Sequence, residues 1–246
     1  MRPLVLPPEH LLEGVGSGDF EAIGREAVDN IDRFAGLRPD ERVLDVGCGL
    51  ARVVQPLSEV LTDGTYDGID TVPVYVEFCR SIGLDGHRFR FHHADLYSSF
   101  YNPTGSIRPE EFRFPWPDRS FSLVIATSLF THLSDAAAEN YLCEVYRVLE
   151  PGGRLFSSFF VLDGWSLHGI EEHNSVPPFH YEVEHGRIST LKNPEFAVAF
   201  DCQWLLQVFQ SIGWEITAFE RGKWRRPLRA GPSYQDLVVA RRPSAG

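Results

Sequence analysis

Between Val43 and Val54 the chain reads VLDVGCGLARVV, an apolar run that breaks into Gly47-Cys48-Gly49 and then resumes. Glycines at such a point let the backbone turn sharply and let a ligand approach where a Cβ would stand. Open parallel sheets bind their ligands at the carboxyl ends of the strands, where a loop of this kind falls. Asp45 precedes the first glycine by two residues, and a carboxylate there suits a cationic group better than a pyrophosphate. The dinucleotide fingerprint G-x-G-x-x-G lacks its last glycine, and Arg52 takes that place. Asp70 ends a second apolar run 23 residues after Gly47, where a carboxylate accepts two hydrogen bonds from a ribose diol. Asp95 follows a third run in HHADL and offers an acceptor to an exocyclic amine. Three acids at three successive strand ends describe a pocket for a nucleoside that carries an amino acid and no phosphate. Cys48 has no neighbour in sequence that would lower its pKa, so it reads as a small loop residue and not as a nucleophile.

His132 is the first candidate for a general base, because it lies just past a fourth apolar run, at the same edge. The competing reading is that Thr131-His132 only orders its loop. His173 is a weaker alternative. It belongs to a group of four histidines (His168, His173, His180 and His185) within residues 162–200. Glu171-Glu172 flank His173, but no H-x-x-x-H run is present, and none of the four cysteines forms a C-x-x-C pair. No metal and no disulfide framework are therefore expected. Phe100, Tyr101, Phe112, Phe114, Trp116, Trp165, Phe179 and Tyr181 suit a sugar or aromatic acceptor, and serve equally as loop anchors. A basic cluster, Arg221-Gly222-Lys223-Trp224-Arg225-Arg226 with Arg229, reads as a solvated strand end.

The elements that must position these residues follow from periodicity. A proline-rich extended arm over the first dozen residues leads to Asp19, an N-cap for a helix whose apolar face is Phe20, Ile23, Ala27, Ile31 and Phe34. Strands are expected at Arg42–Val46, within Gly64–Asp70, and at Phe89–His92, Phe121–Ala126 and Arg154–Val161. Helices are expected at Ala51–Leu61, Val74–Ile82 and, capped by Ser134, Asp135–Leu149. Such alternation implies a parallel sheet with helices on both faces. Residues 97–120 and 162–200 interrupt it, the latter with a hairpin over His180–Thr190. A helix at Cys202–Ile212 and strands at Trp214–Glu220 and Tyr234–Arg241 complete the pattern.

These motifs resemble those of the class I S-adenosylmethionine-dependent methyltransferases. VLDVGCG resembles their first motif, YDGID places Asp70 at the ribose position, and HHADL places Asp95 at the adenine position. RFPWPDRSFSLVIATSLFTHL resembles their fourth-strand region and YRVLEPGGRLF the helix and strand that follow. The resemblance implies an α/β, Rossmann-like fold with a seven-stranded, mostly parallel sheet ordered 3-2-1-4-5-7-6. It implies S-adenosylmethionine as cofactor and S-adenosylhomocysteine as product. Asp45, Gly47, Cys48, Gly49, Asp70, Thr71, Asp95, Leu96 and Ser128 would hold the cofactor. It also implies one domain over residues 1–246, with residues 1–36 as arm and cap helix and the two insertions as a substrate lid. Ala51 replaces a frequent third glycine. The Asp/Asn-Pro-Pro-Tyr motif of base-amine methylation is absent, with Thr127-Ser128-Leu129-Phe130 in its region.

The net charge of −11 repels nucleic acid and anionic membrane, and the longest apolar stretch, around Leu123–Phe130, is far short of a membrane span. The sequence has no signal-peptide core at its N-terminus, and its 21 arginines against two lysines read as GC-rich bacterial coding. The expectation is a cytoplasmic enzyme that methylates a small-molecule acceptor, foremost a hydroxyl of a sugar or natural product. Methylation of RNA or protein, and N- or C-methylation of a small molecule, are the alternatives. A non-catalytic module is disfavoured by the intact acids, a nicotinamide oxidoreductase by Arg52. A homodimer stays open.

Overall fold

The computed structural model describes residues 4–16, 18–172, 174–225 and 231–244. Helix α1 (Glu9–Leu12) and a 3-10 turn (Glu13–Val15) occupy the segment expected to be an extended arm. Helix α2 (Phe20–Ala35) starts where the Asp19 carboxylate accepts from Ala22 N at 2.8 Å. The alternation that follows is β1 (Arg42–Val46), α3 (Val54–Leu57), β2 (Thr65–Asp70), α4 (Pro73–Ser81), β3 (Phe89–His93), β4 (Phe121–Ala126), α5 (Asp135–Val148) and β5 (Leu149–Phe159). Helix α3 is far shorter than the expected Ala51–Leu61. Ala51 sits at φ 61°, which no right-handed helix tolerates, and the Ser58 hydroxyl takes the Gln55 carbonyl at 2.6 Å. Strand β5 begins before the Pro151-Gly152-Gly153 stop and absorbs it as a bulge. Phe121 pairs with Leu149 and Leu123 with Arg154, leaving the intervening residues looped out.

The chain then forms β6 (Val161–Leu162), α6 (Gly164–Glu171), β7 (Tyr181–Val183), β8 (Gly186–Ile188), β9 (Val198–Asp201), α7 (Cys202–Ile212), β10 (Glu215–Glu220) and β11 (Asp236–Arg241). The main sheet is ordered β10-β11-β5-β4-β1-β2-β3, and β11 runs antiparallel to both of its neighbours. With β10 and β11 as sixth and seventh strands, this is the 3-2-1-4-5-7-6 order. A second sheet, β6-β9-β8-β7, grows out of the 162–200 insertion around the expected hairpin.

Alternate residues of the central strands enter opposite layers, as expected of strands covered on both faces. Leu44, Val124 and Ala126 pack against α5 and α7 residues such as Leu142 and Phe209. Val43, Leu123 and Ile125 pack against Ile31 of α2 and Val76 of α4. The second sheet has its own core of Phe160, Leu162, Phe179, Ala199 and Trp224. No helix among the described residues is long and apolar enough to cross a membrane.

Candidate active site

A cavity of about 860 Å³ opens over the carboxyl edge of the main sheet. Its floor is the glycine loop. Gly47 N and Cys48 N both donate to the Ile69 carbonyl, at 2.8 and 3.2 Å, which ties the loop to the end of β2. Gly47 turns at φ 77°, a left-handed conformation that glycine adopts without strain, and a Cβ there would press on Leu129 at 3.2 Å. Helix α2 lies across this loop so closely that a Cβ on Gly24 would stand 2.3 Å from the Arg52 carbonyl oxygen.

Two acids line the floor. The Asp70 carboxylate accepts from Gly49 N at 2.8 Å and Val72 N at 2.9 Å. Burial pushes its pKa up against the lowering effect of these amides. Asp45 is 2% exposed. One of its oxygens accepts from the Tyr66 hydroxyl at 2.7 Å, and the other is buried with no hydrogen-bond partner. Burial first, and the charge of Asp70 in addition, push Asp45 up to about 7 despite Tyr66. A buried, half-satisfied carboxylate on a cavity wall calls for a cationic or donor group from a ligand.

The structure places the other sequence-derived residues as follows. Cys48, Thr71, Leu96 and Ser128 line the cavity. Cys48 is a buried free thiol whose pKa is pushed up by its neighbour Cys79 and by burial. Thr71 Oγ1 donates to the Leu96 carbonyl at 2.7 Å, joining the ends of β2 and β3. Asp95 does not line the cavity. Its carboxylate turns into the 97–120 insertion, where it accepts from Ser106 Oγ at 2.7 Å and Asn102 Nδ2 at 3.2 Å. Leu96 faces the cavity in its stead.

His132 also lines the cavity, at the end of a 3-10 turn (Phe130–His132). Its Nδ1 lies 2.9 Å from the Glu195 carbonyl oxygen, which can only accept, so the neutral ring carries its proton on Nδ1. Nε2 then holds a lone pair, with the Tyr101 hydroxyl 3.4 Å away. Burial lowers the His132 pKa and outweighs the opposing main-chain contacts, so the ring is neutral near pH 7. Tyr101 is pushed up, chiefly by burial, and keeps its proton. His173, the alternative base, lies outside the described residues, as do Arg226 and Arg229.

Of the described members of the basic cluster, Arg221 and Lys223 are exposed, as expected of a solvated strand end, but Arg225 is not. Arg225 is 2% exposed and bridges Asp163 at 3.0 Å and Asp236 at 2.7 Å. Arg221 pairs with Asp163 at 2.9 Å, and Lys223 stands 3.8 Å from Glu26. Sequence reading missed Tyr66, Ser158 and Gln235 as site residues. Their contacts run between strands, and no local spacing signals them.

The fold is that of the class I S-adenosylmethionine-dependent methyltransferases, and the chain is similar to members of that class. Residues 43–153 match the family model described as a methyltransferase domain. The chain is 26% identical over 155 residues to a sterol 24-C-methyltransferase of Pneumocystis carinii, covering 62% of this chain and 34% of that protein. It is 30% identical over 131 residues to a demethylmenaquinone methyltransferase of Beutenbergia cavernae, covering 53% and 45%. The chain thus spans less than half the length of these curated relatives. Among solved structures, the Burkholderia thailandensis 1,6-didemethyltoxoflavin-N1-methyltransferase, bound to 1,6-didemethyltoxoflavin and S-adenosylhomocysteine, superposes with a TM-score of 0.59. It is 18% identical, with 99% of this chain and 93% of that one covered. The [4+2]-cyclase SpnF superposes with a TM-score of 0.58 at 18% identity, covering 90% and 81%.

Proposed function

We propose that the protein transfers a methyl group from S-adenosylmethionine to a hydroxyl oxygen of a small molecule with an apolar frame. The observation that carries this reading is His132, neutral and on the cavity wall, with Nδ1 committed to the Glu195 carbonyl and Nε2 left as an acceptor beside the Tyr101 hydroxyl. When bound, the cofactor supplies an electrophilic methyl on a sulfonium centre. Asp45, Gly47, Cys48, Gly49, Asp70, Thr71, Leu96 and Ser128 are the residues proposed to hold it. Asp45, with its unpartnered oxygen, is suited to positive charge, and Asp70, held by two main-chain amides, to the ribose diol. Asp95 is left out of this set, because its carboxylate is occupied by Ser106 and Asn102.

The chain's own part in the reaction is orientation, exclusion of water and removal of one proton. The acceptor hydroxyl gives its proton to His132 Nε2, and the Glu195 carbonyl, already accepting from Nδ1, stabilises the imidazolium that forms. The two insertions form the lid: Tyr97, Phe100, Tyr101 and Phe112 from residues 97–120 and Pro177 and Phe196 from residues 162–200 line the same cavity. A carbon acceptor is a second reading, favoured by the names of the sterol and demethylmenaquinone relatives and by the aromatic lining.

Calorimetric titration with S-adenosylmethionine and S-adenosylhomocysteine, then NMR location of the methyl in the product of a hydroxylated-acceptor screen, tests the proposal. Both ligands are expected to bind, and the new methyl to sit on oxygen. His132→Ala should lower kcat by about 10²–10⁴ with S-adenosylhomocysteine affinity unchanged. Absence of binding, or a methyl on carbon, would overturn it.

A further inference from the structure

Two serine side chains, Ser128 and Ser158, converge on one amide, that of Gln235, at the rim of the main sheet. Ser158 Oγ, near the end of β5, accepts from Ser128 N at 2.7 Å and donates its proton to Gln235 Oε1 at 2.6 Å. Ser128 Oγ donates to the same oxygen at 3.0 Å. With its oxygen toward the serines, the amide accepts from both hydroxyls while Ser158 Oγ still accepts from the main chain, so both serine hydroxyls and the Ser128 N–H are matched. Among the described residues no group accepts from Gln235 Nε2, and Gln235, Ser128 and Ser158 all line the cavity.

The backbone beside this amide cannot swing. Asp236, fully buried, accepts from Val161 N, Gly222 N, Trp224 Nε1 and Arg225, all between 2.7 and 2.9 Å. Gln235 is thus a preorganised neutral donor, with two N–H groups free for a ligand. The charge of the lining selects among acceptors. Among the described lining residues, five acids, including Asp45, Asp70 and Glu26, face a single cation, Arg52. Such a wall disfavours an acceptor that brings net negative charge, whereas a carbonyl oxygen accepts from a neutral amide without bringing charge.

We propose that Gln235 is a specificity-determining residue that donates to a ring carbonyl of the acceptor, so that the substrate class is a hydroxylated apolar ketone. This deepens the methyl-transfer reading and rests on it: His132 meets the hydroxyl and Gln235 the carbonyl of one molecule in one cavity.

The test uses two probes, a hydroxytetralone and the tetrahydronaphthol that lacks its ring carbonyl. Each is titrated calorimetrically into the whole protein with and without saturating S-adenosylhomocysteine. The ketone is expected to bind about fivefold to tenfold more tightly, the worth of one well-made hydrogen bond. Gln235→Glu, which keeps the oxygen facing the serines and replaces the donor, should bring the ratio to about one. Gln235→Met, close in shape and without a donor, should do the same and serves if the glutamate variant does not fold. Equal affinities in the wild type, binding of neither probe, or an unchanged ratio in the variants would overturn the assignment. A tenfold loss of S-adenosylhomocysteine affinity in Gln235→Met would overturn it too, because the amide would then serve the cofactor. Failure of S-adenosylhomocysteine to bind strikes the cofactor reading instead, and the probe ratio measured without it still decides on Gln235.

Discussion

On the glycine-loop side of the cavity the main chain sets the geometry, whereas on the His132 side distant loops meet through their side chains. Gly49 N and Val72 N hold the Asp70 carboxylate, and the Ile69 carbonyl holds the loop itself. All these groups lie at the ends of adjacent parallel strands, so their spacing is set once the sheet register is set. His132, by contrast, is held by the Glu195 carbonyl 63 residues away, and Gln235 by Ser128 and Ser158. The insertion that forms the second sheet supplies Glu195 to this half, while Ser128, Ser158 and Gln235 sit at strand ends of the main sheet; Arg225, between Asp163 and Asp236, ties the two together. One half is therefore a property of the fold, and the other depends on where the insertions grafted on it meet the strand ends.

The strongest test of this division removes the graft's ionic anchor. Arg225→Met leaves the buried Asp236 carboxylate without its cation and leaves Asp163, the N-cap of α6, to Arg221 alone. Breaking one partner out of a buried charge pair destabilises by about 3–5 kcal/mol. Urea unfolding should show a loss of that size. S-adenosylhomocysteine affinity in the folded variant should change less than twofold, since none of the loop's hydrogen bonds reaches Arg225. An equal loss of ligand affinity would merge the two halves into one cooperative unit.

The same division explains how much was legible in the sequence. Asp45, Gly47, Gly49 and Asp70 stand at strand ends that periodicity marks, and the order of the seven main strands is what the family resemblance of their motifs implies. Strands β6 and β9 escaped because they are two and four residues long, too short to show a period of two. Asp95 was placed by its position after β3, but Ser106 and Asn102 of the insertion draw its carboxylate aside, a contact that no local pattern encodes. Arg225 read as a solvated cation because its partners, Asp163 and Asp236, lie 62 and 11 residues away. Strand-end acids report on themselves; groups recruited across the chain do not.

A smaller effect is expected on the glycine-loop side. Asp70→Ala removes the acceptor of two main-chain amides and the proposed contact to the ribose diol. S-adenosylhomocysteine binding should weaken by about 1.5–3 kcal/mol, the worth of hydrogen bonds to a charged group. Calorimetry decides, and unchanged affinity would place the ribose elsewhere in the cavity. The hydroxytetralone and tetrahydronaphthol ratio should stay as in the wild type, because Gln235 is held independently of Asp70.

The subtlest probe is Asp45. In the unfolded chain its carboxyl loses its proton near pH 4, and in the folded protein, where burial raises it, near pH 7. Between those values the folded state binds more protons, so this group's contribution is full below the unfolded pKa and is lost as pH rises through about 7. The loss runs at up to about 1.4 kcal/mol per pH unit. Asp67, where hydrogen bonds from His92 and Arg90 outweigh burial and lower the pKa, slopes the other way, so the total curve mixes both signs. The difference between wild type and Asp45→Asn isolates Asp45, and the variant should gain relative stability steadily from pH 4 to pH 7. Ligand binding supplies the second readout. Above pH 7 the ionised Asp45 should favour the sulfonium of S-adenosylmethionine over the neutral sulfur of S-adenosylhomocysteine, so their affinity ratio should rise several-fold between pH 6 and pH 8. In Asp45→Asn the ratio should stay flat. A flat ratio in the wild type, with both affinities rising together, would mean that the unpartnered oxygen meets the α-ammonium common to both ligands, which moves the cofactor's amino-acid end, and not its sulfur, onto Asp45.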